Sequence, residues 1–241
     1  MKDRWYALLQ KLDEMVARLC IRRGTRVFLF HHIDDGRART AVKKHISLTT
    51  EEFILWLENC LANGIEFRPL SQIKQYTKAN DAFISFDDIF SSAYETAIPI
   101  LEAKNIPYTC FIATSYLHRD GYASSAVVGR LSQSPLCEIG SHTVGHPKLR
   151  TLSAGDASVE IREGKRQLEE IIGQKVSLFA YPYGTLSTCS PRDRLLVGEA
   201  GFSYGFSTYS KRVSPKAVLR KPYWIARISI SGDNWKSHTT V

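Results

Sequence analysis

Short apolar runs that end in polar residues alternate with helical patterns along nearly the whole 241-residue chain. Arg26 to His31 reads as a buried strand ending in histidine, and Ala82 to Phe86 as one ending in Asp87-Asp88. Tyr108–Ala113, Leu136–Gly140, Val176–Tyr181, Ser203–Phe206 and Trp224–Ile230 have the same character. Between them lie helices with recognisable ends. Thr49 and Glu52 form a capping-box pattern before a face of Phe53, Trp56, Leu57, Cys60 and Leu61, and Gly64 is the stop. Tyr94, Ala97, Ile98 and Leu101 mark the next helix, which Pro99 should kink or end early. Ser153 opens a helix that closes at Gly173, and Ser190-Pro191 opens one that closes at Gly201. Ile33 to Ser47 reads as a polar loop, and Gly121 to Ser134 carries no clear pattern. Repeated strand–helix alternation requires a parallel sheet, either a barrel or an open doubly wound sheet. The polar residues fall at the C-terminal ends of different strands, where barrels place their chemistry. No Gly-rich dinucleotide fingerprint or phosphate loop occurs. The expectation is an α/β chain forming a single-domain (β/α) barrel of about seven parallel strands over 23–241.

The segment 1–22 stands apart. Trp5, Leu8, Leu9, Leu12, Val16 and Leu19 have helical spacing, with Lys11, Arg18 and Arg22 on a basic side. Docking on the barrel or in a dimer is the commoner use of such a helix, and contact with a membrane surface is the alternative. The net charge of +8 favours acidic partners, but it is scattered, and no zinc-finger spacing or long basic run points to nucleic acid. Cys20, Cys60, Cys110, Cys137 and Cys189 are odd in number and widely spaced, which argues for reduced thiols. No apolar run suits a signal peptide or approaches the roughly 20 residues of a membrane span, so a cytoplasmic protein is expected.

The chemistry concentrates at strand ends. Adjacent strand residues point to opposite faces, so Asp87 and Asp88 should have different jobs: Asp88 holding a metal, Asp87 working as a base. The competing reading is a helix N-cap, because Ser91-Ser92 and a helix follow. His142 and His146 lie four apart, with Gly145 and Pro147 favouring a loop over a helix. With a strand-end carboxylate they make a two-histidine, one-carboxylate set, which leaves coordination positions open as a catalytic zinc or similar metal requires. Tyr181-Pro182-Tyr183-Gly184 is either an ordinary turn or a rigid one aiming a backbone N–H at an oxyanion. His31 and His32 are structural histidines or, in the active reading, one of them is the proton donor for a leaving amine.

These residues resemble the polysaccharide deacetylases, metal-dependent carbohydrate esterases with a distorted (β/α) barrel. Ser85-Phe86-Asp87-Asp88 is similar to their first motif, His142-Thr143-Val144-Gly145-His146-Pro147 to their second, and Pro182-Tyr183-Gly184 to their third. Phe30-His31 resembles the first strand end of the branch that deacetylates poly-N-acetylglucosamine. The resemblance runs from about Val27 to Ile230. It implies an N-acetylated carbohydrate substrate and a divalent ion on Asp88, His142 and His146, with zinc first and cobalt, nickel or manganese as alternatives. It further implies Asp87 as base, the Tyr183 N–H at the oxyanion, and His31 as acid, with Tyr181, Pro182, Gly184 and His32 lining the substrate. Two positions depart from the family pattern. Ile89 replaces a glycine, and Ala180 replaces the arginine that orients the base; Arg227 is a substitute from another strand. An O-acetyl esterase on the same site and an inactive carbohydrate-binding barrel are the alternatives. Substrate choice should rest on the loops 34–47 and 117–134.

Overall fold

The computed structural model describes residues 24–34, 44–76 and 78–240. The helical pattern at 3–20 and much of the loop after Asp34 lie outside the described residues. Among the described residues ten strands occur in the order β1 Arg26–Phe30, β2 His32–Asp34, β3 Ser47–Thr49, β4 Glu66–Phe67, β5 Asp81–Asp87, β6 Tyr108–Ile112, β7 Cys137–Ser141, β8 Leu178–Ala180, β9 Tyr204–Phe206 and β10 Ile228–Ser229. Seven of them run β10-β1-β5-β6-β7-β8-β9, every pairing parallel, and β4 pairs with the opening of β5. Parallel strands covered on both faces read as continuous apolar runs, and β1, β5 and β6 are buried throughout.

Two cores follow from the pleat. Val27, Phe83, Phe111, Leu178 and Phe206 fill the barrel interior, while Phe28, Phe30, Ile84 and Phe86 face the helices around Trp56. One short segment joins the two edges of the sheet. Ile225 pairs with Phe206 of β9, and three residues later Ile228 pairs with Phe28 of β1. Arg227 lies between those two pairings.

The helices are α1 Thr50–Ala62, α2 Ile98–Ala103, α3 Ser125–Leu131, α4 Ala154–Ile172, α5 Pro191–Glu199 and α6 Pro215–Arg220. The Thr49–Glu52 capping box is present, and Gly173 ends α4 at φ 67°. Several expectations are corrected. Leu61 sits on the exposed flank of α1, because the apolar stripe ends at Cys60. The helix expected around Tyr94–Leu101 is a π turn over Ala93–Ala97 followed by α2. Pro99 lies in the first turn of α2, where its missing N–H costs nothing. The segment 33–47 is not all loop, since β2 pairs with β3. Within 121–134, Ser124 caps α3 by accepting from the Val127 N–H. The strand expected over 224–230 shortens to β10 plus the Ile225 bridge.

Candidate active site

β5 carries the centre of the site. Phe83, Ser85 and Asp87 alternate into the interior, but the strand ends at Asp87, and Asp88 and Ile89 adopt left-handed backbone at φ 65° and 47°. That turn overrules the simple alternation between faces. The Asp87 and Asp88 carboxylates approach the same ring nitrogen, His142 Nε2, at 3.8 and 3.9 Å. No helix begins directly at the pair, so the N-cap reading does not hold.

His142 leaves the end of β7, and residues 142–146 form a loop with positive φ at Thr143 and His146. His142 Nδ1 donates to the Ala180 carbonyl at 2.8 Å, which fixes the tautomer and leaves the Nε2 lone pair free. His146 Nε2 lies 3.7 Å from Asp88 Oδ1. One ligand atom from each of Asp88, His142 and His146 falls within 4.8 Å of the others. Asp88 Oδ1 is buried and accepts no hydrogen bond among the described residues. Burial, and then repulsion by Asp87, push the Asp88 carboxyl up to about 7. Burial brings His142 down to about 3 and lowers His146, so both rings are neutral donors at physiological pH. An orphaned carboxylate oxygen converging with two neutral imidazoles fits a divalent ion and little else.

Asp87 has a different environment. Arg227 Nη1 and Nη2 grip its two oxygens at 2.6 and 2.7 Å, and Arg227 also donates to Ser85 Oγ and the Ser207 carbonyl. Both partners are buried. Burial alone would raise the Asp87 carboxyl, but the guanidinium holds it down to about 2. The clamp missing at Ala180 is thus supplied by the closing segment, and the Ala180 carbonyl orients His142 instead.

His31 is half-buried just past β1, and its Nδ1 is buried without a hydrogen-bond partner among the described residues. Burial brings it down to about 4 against the opposing pull of Asp87, so His31 lies within the field of Asp87. His32 points elsewhere: its ring stacks on Phe90 at 3.6 Å and its Nδ1 faces Ser92 Oγ at 3.4 Å.

The turn after β8 divides the remaining expected residues. Tyr183 is 49% exposed at φ 61°, its ring 4.8 Å from that of His146. Its carbonyl accepts from Thr208 Oγ1, and its N–H donates to nothing among the described residues. Gly184, at φ 59°, cannot be replaced, because a Cβ there would lie 2.6 Å from the Thr208 nitrogen. Tyr181 and Pro182 are buried. The Tyr181 hydroxyl donates to the Tyr223 carbonyl, so Tyr181 braces the turn from beneath and does not face the open site.

Two residues of α4 complete the site and were not singled out by the sequence. Glu160 Oε2 accepts from the Val144 and Gly145 N–H groups at 3.0 and 2.8 Å. Gly164 lets the Thr143 backbone lie where a Cβ would be 2.7 Å from it. Glu160 lies among many charged residues of α4, and Gly164 falls in its buried stripe with Ile161 and Leu168, so the sequence alone marks neither as a support of the loop.

Comparison with known proteins agrees with this geometry. The profile of the family "Polysaccharide deacetylase" matches residues 74–204. The poly-beta-1,6-N-acetyl-D-glucosamine N-deacetylase of Staphylococcus aureus strain MSSA476 is 27% identical, over 79% of this chain and 70% of its own. Its Staphylococcus epidermidis counterpart is 26% identical over 80% and 71%. In fold, the chain is similar to IcaB from Ammonifex degensii, with TM-score 0.77, 22% identity and 90% and 96% of the two chains covered. It is also similar to the Streptococcus pyogenes deacetylase PplD, with TM-score 0.76, 18% identity and 86% and 92% covered. The family profile spans more than half of the sequence and contains β5, the two-histidine loop and the Tyr183 turn. The chain belongs to the polysaccharide deacetylase family, hydrolases acting on carbon–nitrogen bonds other than peptide bonds.

Proposed function

We propose that the protein is a metal-dependent N-deacetylase of an N-acetylated glycan, with poly-β-1,6-N-acetylglucosamine the substrate class its curated relatives suggest. The observation that carries this reading is the convergence of Asp88, His142 and His146 beside an Arg227-clamped Asp87. Asp88, His142 and His146 would hold a divalent ion, zinc in the first instance, whose Lewis acidity would lower the pKa of water and polarise an acetyl carbonyl. Asp87, ionised and fixed by Arg227, receives a proton from the attacking water. The Tyr183 N–H donates to the developing oxyanion. His31 is neutral at rest, so it first takes up a proton from solvent as negative charge building on the substrate raises its pKa, and then passes that proton to the departing amine. A good acid is needed for an amine and much less so for an alkoxide, so His31 favours amide over ester hydrolysis. The described cysteines are free thiols, and we place the protein in a reducing compartment such as the cytoplasm on that basis. No helix among the described residues is long and apolar enough to cross a membrane.

The test is acetate release from β-1,6-linked N-acetylglucosamine oligomers. Chelation should abolish it and added zinc or cobalt should restore it. Release that persists through thorough chelation would refute metal dependence, and Asp88→Ala with full activity would refute the ligand assignment.

A further inference from the structure

A pocket of about 240 Å³ lies beside the Tyr183 turn and shares no residue with the candidate metal ligands. Arg194 of α5, Lys211 of the β9–α6 loop and Lys221 just past α6 line it, together with Leu186, Tyr209 and Trp224. No aspartate or glutamate among the described residues does so.

Arg194 is the unusual member. Arg68, Arg166, Arg192 and Arg227 each meet a carboxylate. Arg194 meets none among the described residues, because its neighbour Asp193 is engaged by Arg192 and Ser190. The Arg194 guanidinium lies 4.0 Å from the centre of the Trp224 ring, and its Nε is buried with no hydrogen-bond partner among the described residues. Burial lowers its pKa from the ordinary arginine value, against weaker opposing pulls from Tyr181, Cys189 and Asp193. A buried donor without an acceptor costs about 1–3 kcal/mol. Stacking on an indole uses the face of a guanidinium and leaves its N–H edge free for an oxyanion.

The walls are fixed on both sides. Thr208, next to Tyr209, donates from its N–H to the Gly184 carbonyl at 2.9 Å and from Oγ1 to the Tyr183 carbonyl at 2.6 Å. Val213, also a lining residue, exchanges backbone hydrogen bonds with Thr25 at 2.8 and 3.0 Å. Lys211 sits between these two anchors, its Nζ 5.2 Å from the Tyr209 ring. Trp224 packs on Tyr181 at 5.3 Å. A ligand entering such a frame loses little affinity to the ordering of the protein.

We propose that this pocket binds the phosphate group of a small phosphate monoester, at a site separate from the metal centre. Two lysines and an arginine with no carboxylate among them match a dianion better than a singly charged carboxylate, and the guanidinium edge can engage two phosphate oxygens at once. Leu186, Ile225 and Ala226 offer an apolar wall to the organic part of the ester.

Calorimetric titration of the zinc-free protein with N-acetylglucosamine 6-phosphate, inorganic phosphate and glucuronate reads the site without turnover and without phosphate binding to zinc. The ester should bind most tightly, and glucuronate at least about tenfold more weakly. Arg194→Met should weaken the ester about tenfold or more, the loss of one charged hydrogen-bonding partner. Lys211→Ala and Lys221→Ala should each weaken it roughly two- to fivefold. These lysines are half-buried and exposed, so the two variants keep the fold even if Arg194→Met does not. Asp88→Ala should bind the ester as wild type does. Absence of ester binding by wild type at millimolar concentration, or binding indifferent to both lysine variants, would overturn the site. Glucuronate binding as tightly as the ester would overturn the phosphate assignment, and inorganic phosphate doing so would overturn the ester in favour of the free anion. Loss of ester binding in Asp88→Ala would move the ligand to the metal centre and refute a separate site.

Discussion

Asp87 and Asp88 are neighbours in sequence with opposed electrostatics, and the difference comes from what each one touches. Asp87 meets Arg227 and stays ionised, whereas for Asp88 burial and then Asp87 outweigh the weaker opposing pull of Arg227. Zinc affinity should therefore rise about tenfold per pH unit up to about pH 7, as the ion displaces one proton from Asp88, and flatten above it. His142, brought down to about 3, is already neutral and adds no slope in that range. A chelator-competition titration across pH 5.5 to 8.5 reads this directly. The same shift bears on stability. A carboxyl raised in the folded state contributes stability below its ordinary value of 3.8 and loses it as the pH rises through about 7. Zinc-free Asp88→Asn should accordingly outlast zinc-free wild type above pH 7 by at least about 1 kcal/mol, or about 2–4 °C in Tm, and converge with it in acid. Asp87 runs the other way, its contribution being present above 3.8 and lost as the pH falls through about 2. Arg227→Ala would leave that charge buried and unpaired, and should cost about 3–5 kcal/mol in urea denaturation at pH 7. The residue types at the site were legible in the sequence. The orientation of Asp88 was not, because two consecutive left-handed residues without glycine are not signalled by any pattern.

At the scale of elements, the two-histidine loop owes its shape to α4. Glu160 pins two of its N–H groups and Gly164 allows it to lie close. Glu160→Ala should lower zinc affinity about 10- to 100-fold, as loss of outer-shell partners does, with the far-UV circular dichroism unchanged. Ile89 offers a counterpart in the turn just past β5. Its left-handed backbone is unfavourable for a β-branched residue by about 1–2 kcal/mol, yet its side chain is completely buried. Restoring the family glycine by Ile89→Gly should therefore destabilise the protein by about 2 kcal/mol, since the lost burial exceeds the relieved strain. A measured gain in stability would show that strain dominates. Helix starts were readable because caps such as Thr49, Ser153 and Ser190 act through their own neighbours. The π turn before Pro99 carries no such cap, whereas the short α6 does start at a Ser214-Pro215 cap, a local signal not singled out from the sequence.

For the whole molecule, strand–helix alternation implied a parallel barrel, and the sheet has that form. What alternation does not encode is how the barrel closes. The closing segment bridges β9 and β1 with Ile225 and Ile228, and so aims Arg227 across the interior at Asp87. Closure and the grip on Asp87 thus come from one short segment, Ile225 to Ile228, which brings a guanidinium to Asp87 where position 180 is alanine. The most direct measurement is metal content by elemental mass spectrometry, after zinc loading and desalting, on wild type and on Asp88→Ala. One tightly held ion per chain in wild type and none in the variant is the expected result. No retained metal in a folded wild-type protein would contradict the metal centre and with it the proposed chemistry.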